Sequence, residues 1–263
     1  MRILYVTQEM DPYTAISEVS EAFKRLPQFV NDKSHEIRVL MPKYGLINER
    51  RHRLHEVVRL SGMNIIVNDE DYPLIIKVAS LPGARLQVYF LDNEEFFKRK
   101  YAFINEAGKP FDDNVERMVF FCKGVMETVR KFGWPPEIIH CHGSLTALIP
   151  LFVKKVYHND PIFKDAKVLY SAYTDLLSQT LNKSFEEIAA INDLDAQDLA
   201  NYMGEKSINL NKGAMHFSDA VFMGTAAIEE EYSNLLNNKP HLPFMEESEL
   251  LPAMVDFYKK ILE

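Results

Sequence analysis

Two histidines, His140 and His142, are the residues whose type and spacing most directly suggest chemistry. They lie at the end of a short apolar segment, and residues two apart in a strand point to the same face of a sheet. Such a pair could hold a metal ion or form hydrogen bonds to a sugar. No third ligand is indicated by the sequence, so buried, hydrogen-bonded histidines are the favoured alternative. We therefore predict no metal site and no cofactor.

The first loop lacks the residues that usually bind phosphate. It reads QEMDPYTAISEVSE, and the first of only 10 glycines in the chain is Gly45. Phosphate sites in this position use glycines, because the backbone must turn tightly before a helix N-terminus. Glu18 and Glu21 stand at the start of the next predicted helix, where carboxylates suit the helix dipole but repel a phosphate. The sequence therefore predicts no phosphate cradle here.

The overall charge excludes some classes of partner. The chain has 30 Lys and Arg against 38 Asp and Glu, a net charge of −8, which argues against nucleic acid or an anionic membrane surface as partner. No stretch approaches the roughly 18 apolar residues of a membrane span, and the first apolar run is too short for a signal peptide. We expect a cytoplasmic protein without a membrane partner. Cys122 and Cys141 lie in apolar segments and are predicted to be free core thiols.

Apolar segments alternate with helical patterns along the chain. Strands are predicted at 2–7, 36–41, 53–67, 74–80, 86–91, 137–141, 166–171 and 220–223. Helices are predicted at 17–29, 113–132, 144–156, 225–235 and 252–262, with a mostly helical stretch at 184–217 and a surface linker at 237–248. The stretch 184–217 opens with Ser184 and Glu187 at the spacing of a capping box. This order predicts an α/β, doubly wound, Rossmann-like domain. Its sheet would be mostly parallel with a small antiparallel excursion, and ligands would bind at the carboxyl ends of the strands.

Several ordered blocks of the chain resemble one known family. The blocks are residues 9–27, HEIRVLMPKYG (35–45), DDNVERMVFFCKG (112–124), GWPPEIIHCHG (133–143), TALIP (146–150) and INLNKGAMHFSDAV (208–221). They are similar to the glycogen and starch synthases, retaining glucosyltransferases that use ADP-glucose, and specifically to the N-terminal, acceptor-side domain. The resemblance implies one half of a GT-B glycosyltransferase. It also implies that residues 1–263 form a single domain without the C-terminal, donor-binding domain.

The departures from the family pattern lie at the ends of predicted strands. The family's Lys-Thr-Gly-Gly in the first loop is replaced by the sequence AISE at 15–18. Leu145 stands where the family has the third histidine of a His-x-His-Asp-Trp-His block, at the centre of glucosyl transfer. Leucine cannot donate a hydrogen bond to a sugar hydroxyl. Tyr173 and Thr174 replace a His-Asn pair, and a Ser-Pro pair has become Gly224 and Thr225.

The resemblance also implies candidate residues for binding a substrate, although none is predicted to be catalytic. They are Glu9, Asp113, Asn114, His140, His142, Tyr173, Asn209 and Lys212. Structural alternatives remain: Glu9 could cap a loop, Asp113 and Asn114 could cap a helix, and Lys212 could stabilise a helix end through the dipole. Tyrosine rings could also stack on a glucan, at Tyr13, Tyr44, Tyr101 and Tyr173.

Two functions are compatible with these features, and a purely structural or regulatory scaffold is a third possibility. The altered loop, Leu145 and the missing donor domain argue against ADP-glucose binding and against glucosyl transfer by the chain alone. The chain would then act by binding an α-glucan or a protein partner, as a regulatory pseudoenzyme. The alternative is half of a split ADP-glucose-dependent transferase, completed by a partner chain, in which Asp113, His142 and Lys212 stay functional.

Overall fold

A single ten-stranded sheet forms the centre of the fold. The computed structural model describes residues 1–182, 184–204 and 207–263. In chain order the strands are β1 (Arg2–Thr7), β2 (Glu36–Pro42), β3 (His55–Glu56), β4 (Met63–Val67), β5 (Glu70–Ser80), β6 (Gln87–Asp92), β7 (Ile138–His142), β8 (Lys167–Ala172), β9 (Ala220–Met223) and β10 (His241–Leu242). The order of nine of them across the sheet is β10-β9-β8-β7-β1-β2-β6-β5-β3, and β4 pairs with β5. All neighbours from β10 to β6 are parallel, whereas β5 is antiparallel to β6, β3 and β4. The predicted fold, including the antiparallel excursion, is confirmed.

The predicted strands are present with small changes at their ends. Residues 53–67 contain two strands rather than one, because the chain turns between β3 and β4. The central strands β1, β7 and β8 are almost entirely buried, as expected of parallel strands covered on both faces.

The helices differ more from the sequence predictions. They are α1 (Glu18–Ala22), α2 (Leu26–Asp32), α3 (Glu49–His52), α4 (Glu94–Phe97), α5 (Asn114–Phe132), α6 (Leu148–Leu151), α7 (Phe185–Ala189), α8 (Ala196–Leu199), α9 (Leu210–Phe217), α10 (Ser233–Leu236) and α11 (Glu247–Leu262). The single helix predicted at 17–29 was wrong. Pro27 cannot continue a helix, but it is tolerated in the first turn of α2, so a new helix begins there.

Two other helix predictions and the linker prediction need correction. The helix predicted at 144–156 is a 3₁₀ turn, then α6 with Pro150 inside it, then a π-helical turn. Residues 225–235 hold a 3₁₀ turn at Ala226–Ile228 and the start of α10 rather than one helix. Residues 237–248 hold β10 and the start of α11 rather than only a linker. The stretch 184–217 contains short helices, and Glu205 and Lys206 within it lie outside the described residues.

The predicted capping box at Ser184 was wrong. Its side chain makes no bond to the helix and contacts Asn182 Oδ1 instead. A capping box does form eleven residues later, where Asp195 and Asp198 exchange bonds with each other's backbone amides. The prediction that both cysteines are free and buried is confirmed.

Candidate functional site

Four strands end at the same edge of the sheet, since β1, β7, β8 and β9 are parallel neighbours. The loops that follow them carry Glu9, Gly143, Tyr173 and Gly224. Most of the positions that differ from the family pattern therefore lie close together. In a doubly wound sheet this edge is where ligands bind.

The carboxylate of Glu9 is fully engaged inside the protein. Its Oε2 accepts hydrogen bonds from the backbone amides of Ile16, at 2.5 Å, and Ser17, at 3.0 Å, while the Ser17 hydroxyl donates to Oε1. Glu9 is completely buried. These bonds cap the loop before α1, while a role of Glu9 in binding a substrate stays a prediction. Its carboxylate occupies the amide groups before α1 that an incoming phosphate would need.

His140 belongs to a buried hydrogen-bonded network. Its Nδ1 bonds to the Tyr258 hydroxyl at 2.7 Å and its Nε2 to Ser171 Oγ at 2.6 Å. The Tyr258 hydroxyl also lies 2.9 Å from that of Tyr5, so the network joins α11 to three strands of the sheet. Burial and the nearby His142 hold the pKa of His140 well below its ordinary value. His140 is thus neutral at neutral pH.

His142 has one ring nitrogen without a partner. Its Nδ1 bonds to the Tyr173 hydroxyl at 3.2 Å, whereas its buried Nε2 has no hydrogen-bond partner among the described residues. Its ring lies 3.9 Å from that of His140 and 4.4 Å from that of Phe23, measured between centroids. Burial lowers the pKa of His142 to about 3. The side chain is therefore neutral and covered by Phe23.

Gly143 follows His142 in a conformation that other residues rarely adopt. Its φ is +84° and its ψ is 162°, and a Cβ there would lie 2.5 Å from the Gln8 carboxamide. Gln8 cannot easily move, because its Oε1 accepts from the amide of Leu145 at 3.3 Å. Leu145 itself is buried in the core.

We expect Gly143→Ala to destabilise the protein by about 2–4 kcal/mol, since backbone strain and overpacking add. Urea unfolding measures the loss. The matched control is Gly83→Ala, where φ is +78° but no atom lies within 4 Å of the added Cβ. Equal losses in the two variants would show that the contact with Gln8 contributes nothing.

Asp113 and Asn114 lie at the start of α5 and are committed to other residues. The Asp113 carboxylate forms a two-bond ion pair with Arg99, at 2.5 and 2.6 Å, and makes no helix-capping bond. The Asn114 amide donates to Phe103 O at 2.8 Å and to Thr180 Oγ1 at 2.9 Å. These contacts fix the loop before α5. They do not bring either residue into contact with His142.

Asn209 and Lys212 lie at the start of α9. Asn209 caps this helix, accepting from the amide of Lys212 at 2.8 Å and from the Tyr232 hydroxyl at 3.0 Å. Lys212 is the third residue of α9, so the interpretation that its charge serves a helix end was wrong. A positive charge is unfavourable at the N-terminal end of the dipole. Its ammonium instead donates to Met203 O at 3.3 Å.

The tyrosines differ in their exposure. Tyr13, Tyr44 and Tyr173 are buried and present no ring face to solvent, whereas Tyr101 is 41% exposed. Tyr173 is held between His142 and Gly224, where any side chain at position 224 would collide with its ring.

A cavity of about 450 Å³ opens beside this edge of the sheet, between α1 and the segment that leads into α11. We call it the acidic cavity. Its charged lining consists of four exposed glutamates, Glu18, Glu21, Glu246 and Glu247. Its apolar lining includes Phe222, Phe244, Met245, Leu250 and Leu251. No described residue in its lining is basic.

The sequence did not predict the part of this cavity that residues 244–247 form, within the segment 237–248 that was interpreted as a linker. The run PFMEESELL, which mixes apolar and acidic residues, was the available signal. Two of the glutamates have cationic neighbours: Glu21 lies 3.7 Å from Lys24, and Glu247 lies 3.5 Å from Arg25. The Glu18 carboxylate accepts from the amide of Thr174 at 2.8 Å.

Within the described ranges, no group of three or more His, Cys, Asp or Glu side chains is arranged to hold a metal ion. No helix in the described part of the chain is both long and apolar enough to cross a membrane.

Comparison with known proteins gives one family. The starch synthase catalytic domain profile matches residues 2–232. The chain is 39% identical to a glycogen synthase of Chlorobium limicola over 173 residues, which are 65% of this chain and 35% of that protein. It is 34% identical to a glycogen synthase of Chlorobaculum tepidum over 245 residues, 92% of this chain and 49% of that protein. The chain thus spans half or less of these relatives.

A solved structure shows the same fold. The catalytic domain of starch synthase IV from Arabidopsis thaliana, bound to ADP and acarbose, superposes with a TM-score of 0.76 at 17% identity. The match covers 94% of this chain and 52% of that one. The two chains therefore share the arrangement of their strands.

Proposed function

Because the chain belongs to the starch synthase catalytic domain family, we propose that residues 1–263 bind an α-glucan and do not transfer glucose by themselves. One observation carries the second half of this proposal. The Glu9 carboxylate already occupies the amides of Ile16 and Ser17 in front of α1. A diphosphate at this place would have to displace a buried carboxylate that makes charge-assisted hydrogen bonds.

The charge of the acidic cavity also opposes the binding of a diphosphate. A nucleotide sugar at this edge would meet Glu18 and Glu21, with no basic side chain in the described lining to offset its charge. Family enzymes stabilise the departing diphosphate with cations, and Ala15 replaces the lysine of the first loop. Leu145 is buried and offers no polar group. These features support the proposal that the chain does not transfer glucose by itself.

The same cavity suits a neutral sugar chain. Its volume lies in the usual range of small-ligand sites, and it combines an aromatic ring with several acceptors. Phe244 is 40% exposed, so one face of its ring is available to the apolar face of a glucose unit. The carboxylates of Glu246 and Glu247 can accept hydrogen bonds from sugar hydroxyls.

Calorimetry with maltoheptaose and with ADP-glucose tests the proposal. We expect maltoheptaose to bind and to raise the melting temperature, because a ligand that binds only the folded state stabilises it. ADP-glucose is expected to do neither, and a transfer assay on glycogen should show no turnover. Robust transfer by the isolated chain would contradict the proposal, and transfer only after a donor-side domain is added would favour the split transferase.

A pair of variants locates the glucan. Phe244→Ala is expected to weaken maltoheptaose binding about threefold to tenfold, which corresponds to one lost aromatic contact. The control is Tyr101→Ala, which removes an equally exposed ring that lies outside the cavity. If Tyr101→Ala weakens binding and Phe244→Ala does not, the glucan binds elsewhere.

A further inference from the structure

A second cavity, of about 640 Å³, is basic although the protein as a whole is acidic. We call it the basic cavity, and its described lining is Arg51, His52, Arg53, His55, Ser80 and Pro82. None of these residues is acidic. The basic cavity shares no described lining residue with the acidic cavity.

The chain path explains why four basic residues converge there. The helix α3 ends at His52, and the next residue, Arg53, adopts a left-handed conformation with φ of +54° that turns the chain toward β3. β3 then begins with His55, which pairs with Val78 near the end of β5. Residues 51–55 therefore face the end of β5, where Ser80 and Pro82 lie.

The guanidinium groups of the basic cavity are free to meet a ligand. Arg51 and Arg53 are exposed, and in the described part of the chain no carboxylate lies within 4.0 Å of either. The acidic residue of α3, Glu49, is held by Lys43 at 2.6 Å and Lys77 at 2.8 Å. Its charge is therefore neutralised by other residues.

The wall behind these arginines is fixed by packing. The ring of half-buried His52 meets that of Tyr13 edge to face, with 5.0 Å between centroids. The Tyr13 hydroxyl in turn donates to Ser80 O at 3.3 Å. An ordered wall with two exposed arginines in front of it, neither paired with a described carboxylate, is suited to a ligand that carries concentrated negative charge.

We propose that the basic cavity binds a small polyanion that carries phosphate groups. Arginine matches phosphate oxygens with two parallel hydrogen bonds, and two such residues can hold adjacent phosphates. The volume leaves room for an organic group of the size of a sugar or nucleoside beside them. The ligand approaches from solvent, since both arginines are exposed.

Calorimetry of the full chain with inorganic pyrophosphate tests the proposal at low and at high salt. We expect saturable binding that weakens as salt rises. The double variant Arg51→Ala/Arg53→Ala should weaken it by about tenfold or more, because the charge-assisted hydrogen bonds from both guanidinium groups are lost. Thermal unfolding checks that this exposed double variant remains folded.

The matched control removes two charges elsewhere. Lys164→Ala/Lys167→Ala changes two exposed lysines outside the cavity and is expected to leave the affinity unchanged. An equal loss in both double variants would show only an effect of net charge and would overturn the proposal. Unchanged binding in the arginine variant, or no binding by the wild type, would also overturn it. Maltoheptaose binding is expected to be normal in the arginine variant, which separates this test from that of the acidic cavity.

Discussion

At pH 5 the protein is expected to be less stable than at pH 7.5 by about 2 kcal/mol or more, because His142 is neutral in the folded state. Its folded pKa is about 3, against 6.5 for an ordinary histidine. Between these values the unfolded chain binds a proton that the folded chain does not, so stability falls as the pH falls from 6.5 toward 3. Above pH 6.5 both states are neutral and nothing is lost. His140 adds a loss of the same sign, since its pKa is also lowered.

Urea unfolding at a series of pH values measures this effect. In His142→Gln the amide oxygen can still accept from Tyr173, but the group no longer titrates. Its stability should therefore depend less steeply on pH between 6.5 and 5 than that of the wild type. The control, His158→Gln, changes an exposed histidine and should keep the wild-type slope. If the stability of His142→Gln depends on pH as steeply as that of the wild type, then His142 is protonated in the folded wild-type protein in this pH range.

Arg117→Ala is expected to destabilise the protein by about 3–5 kcal/mol, because it removes a buried side chain and the bonds that it makes. Its guanidinium donates to Phe96 O and to Asn114 Oδ1, both at 2.8 Å, and also to Ala102 O. Burial lowers the pKa of Arg117 to about 10, so it remains charged at neutral pH. Without it, these acceptors lose their donor inside the protein.

Chemical denaturation at neutral pH measures this loss. Arg99→Ala is the comparison, since Arg99 is also bonded in this region but is one-third exposed; we expect it to cost about 1 kcal/mol. Arg117→Lys keeps the charge but cannot reach all three acceptors, and should fall between the two. A cost below about 1 kcal/mol for Arg117→Ala would show that the acceptors find other donors.

The strands were predictable because a strand that is buried on both faces is a nearly continuous apolar segment in the sequence. RILYVT and AVFM are continuous apolar runs, and β1 and β9 have the predicted bounds. The helices were less predictable. Their ends depend on single residues such as Pro27, and a serine such as Ser184 can bond to a preceding asparagine instead of capping its helix.

The site was predictable only in part, for a different reason. The edge at which the altered positions meet follows from the strand order. The contact between Glu9 and the amides seven and eight residues later depends on how the loop folds back. The acidic cavity needs α11, which comes more than 200 residues after α1 and reaches the same place only through tertiary packing. Local sequence patterns do not indicate which distant segments will pack together.

The central position of β1 affects the order in which the protein can fold during translation. β1 pairs with β2 on one side and with β7 on the other. The first partner leaves the ribosome soon after β1, whereas the second follows only with residues 138–142. Until then one edge of this buried strand is open to pairing with the wrong segments, as is usual for folds with distant pairings. The bond from Tyr258 to His140 comes last, so the centre of the sheet is completed only when nearly all of these residues have been synthesised.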